Sequence, residues 1–72
     1  MRRRFRFELA ENEYGVFGEF GPEKSFSVVQ LLPGAPAANA KTLAVLKGIE
    51  SAEQLKHELD KKFAGLTGLR PF

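Results

Sequence analysis

The stretch from Arg3 to Leu9, RRFRFEL, alternates charged and apolar side chains with period two from Arg4 onward. Successive side chains of a strand point to opposite faces, so the pattern commits this segment to a half-buried β-strand. Phe5, Phe7 and Leu9 fall on one side, and Arg4, Arg6 and Glu8 on the other. The polar run Ala10-Glu11-Asn12-Glu13 interrupts the pattern and YGVFGEF, residues 14–20, resumes it, which predicts a hairpin. With a four-residue loop between Leu9 and Tyr14, Phe7 is expected opposite Val16 and Phe5 opposite Gly18. The outer face then pairs Arg6 with Phe17 and Arg4 with Glu19. Gly15 and Gly18 weaken the second strand and signal curvature or the close approach of another backbone.

Gly21-Pro22-Glu23-Lys24 reads as a turn. SFSVVQLL, residues 25–32, is the expected third strand, and its VVQLL half is apolar on both sides. Such a strand is covered on both faces, and one helix covers only one of them. PGAPAANA, residues 33–40, is an Ala/Pro/Gly stretch expected to be a flexible loop. KTLAVLKG, residues 41–48, reads best as a fourth strand that closes a meander with the third. The alternative is three strands followed by two helices, with Pro36 at a helix start and Lys47-Gly48 at its end.

Ser51, with Gln54 three residues on, is a capping-box pattern. Ala52, Leu55, Leu59, Phe63 and Leu66 recur at helical spacing, which predicts a helix over 52–64. Glu58 and Lys62 stand at a helix-supporting spacing, and Lys61 and Lys62 sit where the helix dipole favours cations. Gly65 or Gly68 ends the helix. The tail, residues 66–72, is expected to lie against the body or to fray. The fold expected is a single α+β domain over 1–72. It is a curved antiparallel four-stranded sheet followed by one C-terminal helix packed on one face.

A chain of 72 residues has a marginal core. It contains no Cys and one His, so disulfides and thiolate metal sites are excluded. Self-association is the remaining route to further burial, and a homodimer burying Val29 (or Val28), Leu31 and Leu46 is expected. No run approaches a membrane span, and no apolar stretch of signal-peptide length follows the basic start. The expected setting is soluble and cytoplasmic. Net charge is +2, but Arg2, Arg3, Arg4 and Arg6 alone contribute +4. Seven other basic residues face nine acids, so the remainder carries −2.

No residue pattern for catalysis, cofactor binding or metal binding stands out, and a non-enzymatic protein is expected. His57 lies off the apolar stripe of the helix, with no partner placed for it. Ser25 and Ser27 lack a nucleophile-elbow context, and Ser51 is explained as a cap. Glu11 and Glu13 at the hairpin tip fall short of a calcium loop. Gly15, Gly18 and Gly21 precede no helix N-terminus. What remains is the basic face, Arg2, Arg4 and Arg6 with Phe17. A positive surface with an exposed aromatic is the pattern that holds single-stranded nucleic acid. The same Arg residues also blunt an exposed strand against aggregation. The leading expectation is a small protein-interaction or regulatory module that acts through a sheet face or strand edge. The alternative is a single-stranded nucleic-acid-binding protein.

The order β-β-β-β-α, with a Gly-bearing second strand, resembles the PUR repeat and the positive-cofactor type of single-stranded DNA-binding coactivator. Phe7, Glu11-Asn12, Gly15 and Phe17 resemble the PUR first hairpin. Lys47-Gly48-Ile49 followed by Ser51 is similar to the coactivator's last strand running into its helix. The resemblance implies a dimer that binds single strands on curved sheet faces. The chain departs from it in GVFGEF, which has no basic residue, and in a third strand apolar on both sides.

Overall fold

A computed structural model describes residues 2–32, 34 and 41–72. The elements follow in the order β1 (Arg3–Leu9), β2 (Asn12–Gly18), β3 (Ser25–Leu31), β4 (Thr42–Lys47), α1 (Ala52–Lys62) and β5 (Thr67–Pro71). They form one five-stranded sheet in the order β4-β3-β2-β1-β5, antiparallel at every pairing. The α+β class, the meander and the strand at 42–47 agree with the sequence reading, and the reading with two helices does not. The strand count does not agree either. The segment expected as a tail is a fifth strand, so the helix is not the last element. Of the loop expected over 33–40, all but Gly34 lies outside the described residues.

β5 pairs with β1, setting Pro71 opposite Phe5 and Arg70 opposite Arg6. The Phe72 N–H donates to the Arg4 carbonyl at 2.9 Å. Pro71 has no N–H to offer a ladder, and an edge strand is where proline is tolerated. Helix α1 therefore carries the chain from one edge of the sheet, β4, to the other, β5.

The β1–β2 hairpin is tighter than expected. Ala10 and Glu11 both adopt positive φ, 51° and 69°, and they alone join the strands. Two residues of positive φ make a type I′ turn, whose twist matches that of the strands it links. Leu9 accordingly pairs with Asn12, Phe7 with Tyr14 and Phe5 with Val16. Arg4 stands opposite Phe17, not Glu19, and Arg6 opposite Gly15, not Phe17. The shift moves each partner by two residues, so every side chain keeps the face expected of it.

One face of the sheet holds the core. Phe7, Val16, Phe26, Val28, Leu46, Ile49, Leu55 and Leu59 are buried together, with Phe5, Leu9, Tyr14, Phe20 and Phe63 packed against them. Leu55 and Leu59 are the buried residues of α1 and seat the helix on this face. Phe7 stacks on Tyr14 at 5.1 Å, and Phe20 meets Phe26 edge-on at 5.0 Å. Burying one such side chain fully stabilises the fold by roughly 1.5–3 kcal/mol.

Gly18 shows why β2 needs a residue without a side chain. A Cβ there would lie 2.7 Å from the Phe26 Cα and closer still to the Ser25 carbonyl. This is the close backbone approach that the glycine pattern signalled.

The helix begins as its sequence implies. The Ser51 Oγ accepts from the Gln54 N–H at 3.1 Å. The Gln54 side chain reaches past the cap, accepting from the Glu50 N–H at 3.0 Å and donating to the Gly48 carbonyl at 3.3 Å. Phe63 caps the other end, its N–H donating to the Leu59 carbonyl at 2.7 Å. On the exposed surface Glu58 pairs with Lys61 at 3.7 Å rather than with Lys62, and Lys56 pairs with Asp60 at 3.0 Å. Among the described residues no helix is long and apolar enough to cross a membrane.

The open face of the sheet as candidate functional site

The face opposite α1 has no covering element among the described residues. Its outward side chains are set by the strand registers. Arg4, Phe17, Ser27 and Val45 form one row across the sheet. Arg6, Gly15 and Val29 form the next, and Glu8, Glu13 and Leu31 the one beyond.

The β3 side of this face is apolar. Val29 is only 6% exposed, yet it does not belong to the core cluster under the helix. Its cross-strand neighbour Gly15 explains this burial. A Cβ at Gly15 would lie 2.7 Å from the Phe17 ring and 3.2 Å from the Leu31 side chain. Phe17 and Leu31 therefore lean into the space that Gly15 leaves and cover the middle of β2 and β3. Val45, 48% exposed, extends the apolar surface toward the β4 edge. Leu43 is nearly as exposed and lies where the β3–β4 register shifts, the irregularity of a β-bulge.

The β1 side is aromatic and charged. Phe72, the residue after β5, lies 6.0 Å from Phe17 between ring centroids. The Arg4 and Arg6 guanidiniums stand 5.7 and 5.1 Å from the Phe72 ring, within reach of cation–π attraction. Arg6 also forms an ion pair with Glu13, and Arg70 with Glu8 at 2.8 Å. The Arg70 hydrogen bond, reinforced by the charges of Arg70 and Arg6, holds the Glu8 carboxyl below its ordinary value of 4.5 against a smaller opposing effect of desolvation. The same bond raises the pKa of Arg70, against desolvation and with the charges of Glu8 and Glu13 assisting. Arg4 has no carboxylate partner among the described residues.

Of the residues singled out from sequence, the fold brings Arg4, Arg6 and Phe17 together on this face. Arg2 is exposed just before β1. Val29 and Leu31 lie on the same face, Val29 buried there. Leu46 does not. It is 3% exposed and belongs to the core beneath α1, because the β4 residues alternate and Val45 takes the outward position. Phe72 and Arg70 were missed. Their cue is the alternation of Leu69 with Arg70 and Phe72, hidden by Gly68 and Pro71 in so short a segment.

Elsewhere the surface offers little chemistry. His57 is exposed on α1, beside Ser51, Glu53, Gln54, Lys56 and Asp60 along a shallow cleft. A second cleft of about 350 Å³ lies between α1 and β5, lined by Phe5, Leu55, Leu69 and Pro71 with Ala52, Glu53, Lys56 and Arg70. Among the described residues no three His, Asp or Glu side chains gather where they could hold a metal ion. Comparison with family models, with curated proteins and with solved structures finds no match to this chain.

Proposed function

We propose that this chain is a small non-enzymatic protein-interaction module, regulatory in kind, that works through the open face of its sheet. The observation that carries this reading is the apolar surface that Phe17, Leu31 and Val45 build on that face over the buried Val29, with no element among the described residues to cover it. Contiguous apolar surface rimmed by charge is the usual mark of a protein contact site. The charges on the rim favour a protein over a polyanion, because Arg6 and Arg70 are already engaged by Glu13 and Glu8. A second copy of this chain is one partner such a face fits. The test is retention of a stoichiometric protein on immobilised chain, with and without nuclease, beside a Val45→Glu control. Retention that survives nuclease and is lost in the variant is the expected result. Retention that Val45→Glu leaves intact refutes the use of this face.

A second reading has its own support in the aromatic pair Phe17 and Phe72 beside Arg4, which has no carboxylate partner among the described residues. Rings flanked by guanidinium groups are a stacking platform for bases. It is the reading that the likeness to single-stranded DNA-binding domains implies. It expects micromolar binding of single-stranded oligonucleotides that weakens steeply with salt and with Arg4→Ala. Absence of binding at about 50 mM salt, where the electrostatic attraction is strong, retires it.

A further inference from the structure

We infer that β5 is a strap that releases from β1 while the rest of the sheet and α1 stay folded, and that its release takes Phe72 off the open face. The inference does not depend on which partner that face receives.

Several features set β5 apart from the other strands. All of its residues but Leu69 are exposed, whereas β2 and β3 bury Val16, Phe26, Val28 and Val29. The core does not draw on it. The buried cluster beneath α1 comes from β1 to β4, from Ile49 and from the helix, and Leu69 is only partly buried against it. The inner side of β5 is loosely seated, because the cleft of about 350 Å³ between α1 and β5 runs along Leu69 and Pro71. Its ladder on β1 is interrupted by the register shift between Arg6 and Glu8, and Gly68 at this shift takes a positive φ of 68°. Arg70 stands directly opposite Arg6, and like charges so placed weaken a strand pairing.

What holds the strap lies at the surface. The side chains of the Arg70–Glu8 ion pair are 45% and 38% exposed, and exposed pairs contribute little. The half-exposed Phe72 ring rests beside Phe17 and the guanidiniums of Arg4 and Arg6. Segments with few buried apolar contacts and exposed backbone hydrogen bonds open locally, ahead of the whole. Release changes the candidate site directly. Arg4 and Arg6 lose the ring they share, and Phe17 loses its aromatic neighbour. A partner that contacts Phe72 therefore favours the closed strap, and one that needs Phe17 or Arg4 uncovered favours the open one.

β1 provides the test within its own sequence. The Arg4 carbonyl accepts from the Phe72 N–H, so it points toward β5. Backbone groups alternate along an antiparallel strand, so the Arg6 N–H also faces β5, while those of Phe5 and Phe7 face β2. Hydrogen exchange of the full chain, followed residue by residue by NMR, reads the two sets separately. The Arg6, Arg70 and Phe72 amides should exchange together, about tenfold or more faster than Phe5 and Phe7 after correction for intrinsic rates. Val28→Ala removes core volume in β3, which β2 and β1 separate from the strap. It should speed exchange at Phe7 by about tenfold or more and leave Arg6, Arg70 and Phe72 unchanged, because strap release keeps the Val28 contacts. Urea below the unfolding transition draws the same distinction in the wild type. It should speed Phe7 steeply and Arg6 little, since release exposes little surface. An Arg6 amide as protected as that of Phe7 overturns the inference, as does an Arg6 rate that follows Phe7 under Val28→Ala or urea.

Discussion

Replacing Ala10-Glu11 by Asn-Gly should make the protein more stable, and the turn geometry sets the size of the gain. Both residues sit at positive φ, where an L side chain crowds its own backbone at a cost of roughly 1–2 kcal/mol per residue. Asn tolerates this region and Gly occupies it freely, which is why Asn-Gly dominates type I′ turns. The gain at Glu11→Gly is reduced by the greater freedom of Gly in the unfolded chain, about 0.4–1 kcal/mol. The two changes together should stabilise by about 1–2 kcal/mol, the sum of relieved crowding less that entropy. Neither side chain contributes to the core, since both residues are exposed. Urea unfolding followed by circular dichroism is the assay. With a slope of about 1–2 kcal/mol per molar for so small a domain, the midpoint should rise by roughly 1 M at unchanged slope. A midpoint that stays or falls would refute the two-residue turn, and with it the register of β1 on β2.

Two other changes probe separate parts of the fold. Gly18→Ala should destabilise by about 1–3 kcal/mol or more, because the new Cβ meets the β3 backbone, which cannot step aside as a side chain would. A thermal midpoint within a degree or two of wild type would contradict that contact. Glu8→Gln should lower stability near neutral pH. The folded carboxyl titrates below its ordinary value of 4.5, so its contribution is fully present above that value and is lost as the pH falls through the lower one. Stability curves of wild type and variant should therefore converge in acid, and a gap constant with pH would exclude the Arg70 pairing as its source.

Local signals were legible and distant ones were not. The Ser51 cap, the Leu55–Leu59 stripe and the alternation of β1 are written in neighbouring residues, and the structure reproduces them. The β1–β2 register was misread because Ala10 and Glu11 are not the Asn or Gly that announce a tight turn. The face of each side chain survived the error because side-chain direction depends only on odd and even position. β5 escaped notice for a different reason. Five residues holding a glycine and a proline have little strand preference of their own, and they pair only because β1 presents an edge. The open face was half visible. VVQLL signalled a strand apolar on both sides, but the roles of Gly15 in admitting Phe17 and of Phe72 in joining it depend on pairings that no short window contains.

The pairing of β5 with β1 has a consequence for the order in which the protein is built. Synthesis delivers β1 nearly sixty residues before the strand that completes it. During that interval β1 has β2 on one side and a bare row of amides and carbonyls on the other. Any chain with a compatible strand can occupy that row, including a nascent neighbour. Closing it requires α1 to form and to swing the following residues across the whole width of the sheet. The helix is thus the arm that brings the latch to the door, and slow docking of Leu55 and Leu59 would prolong the period in which the nascent chain is prone to exchange strands.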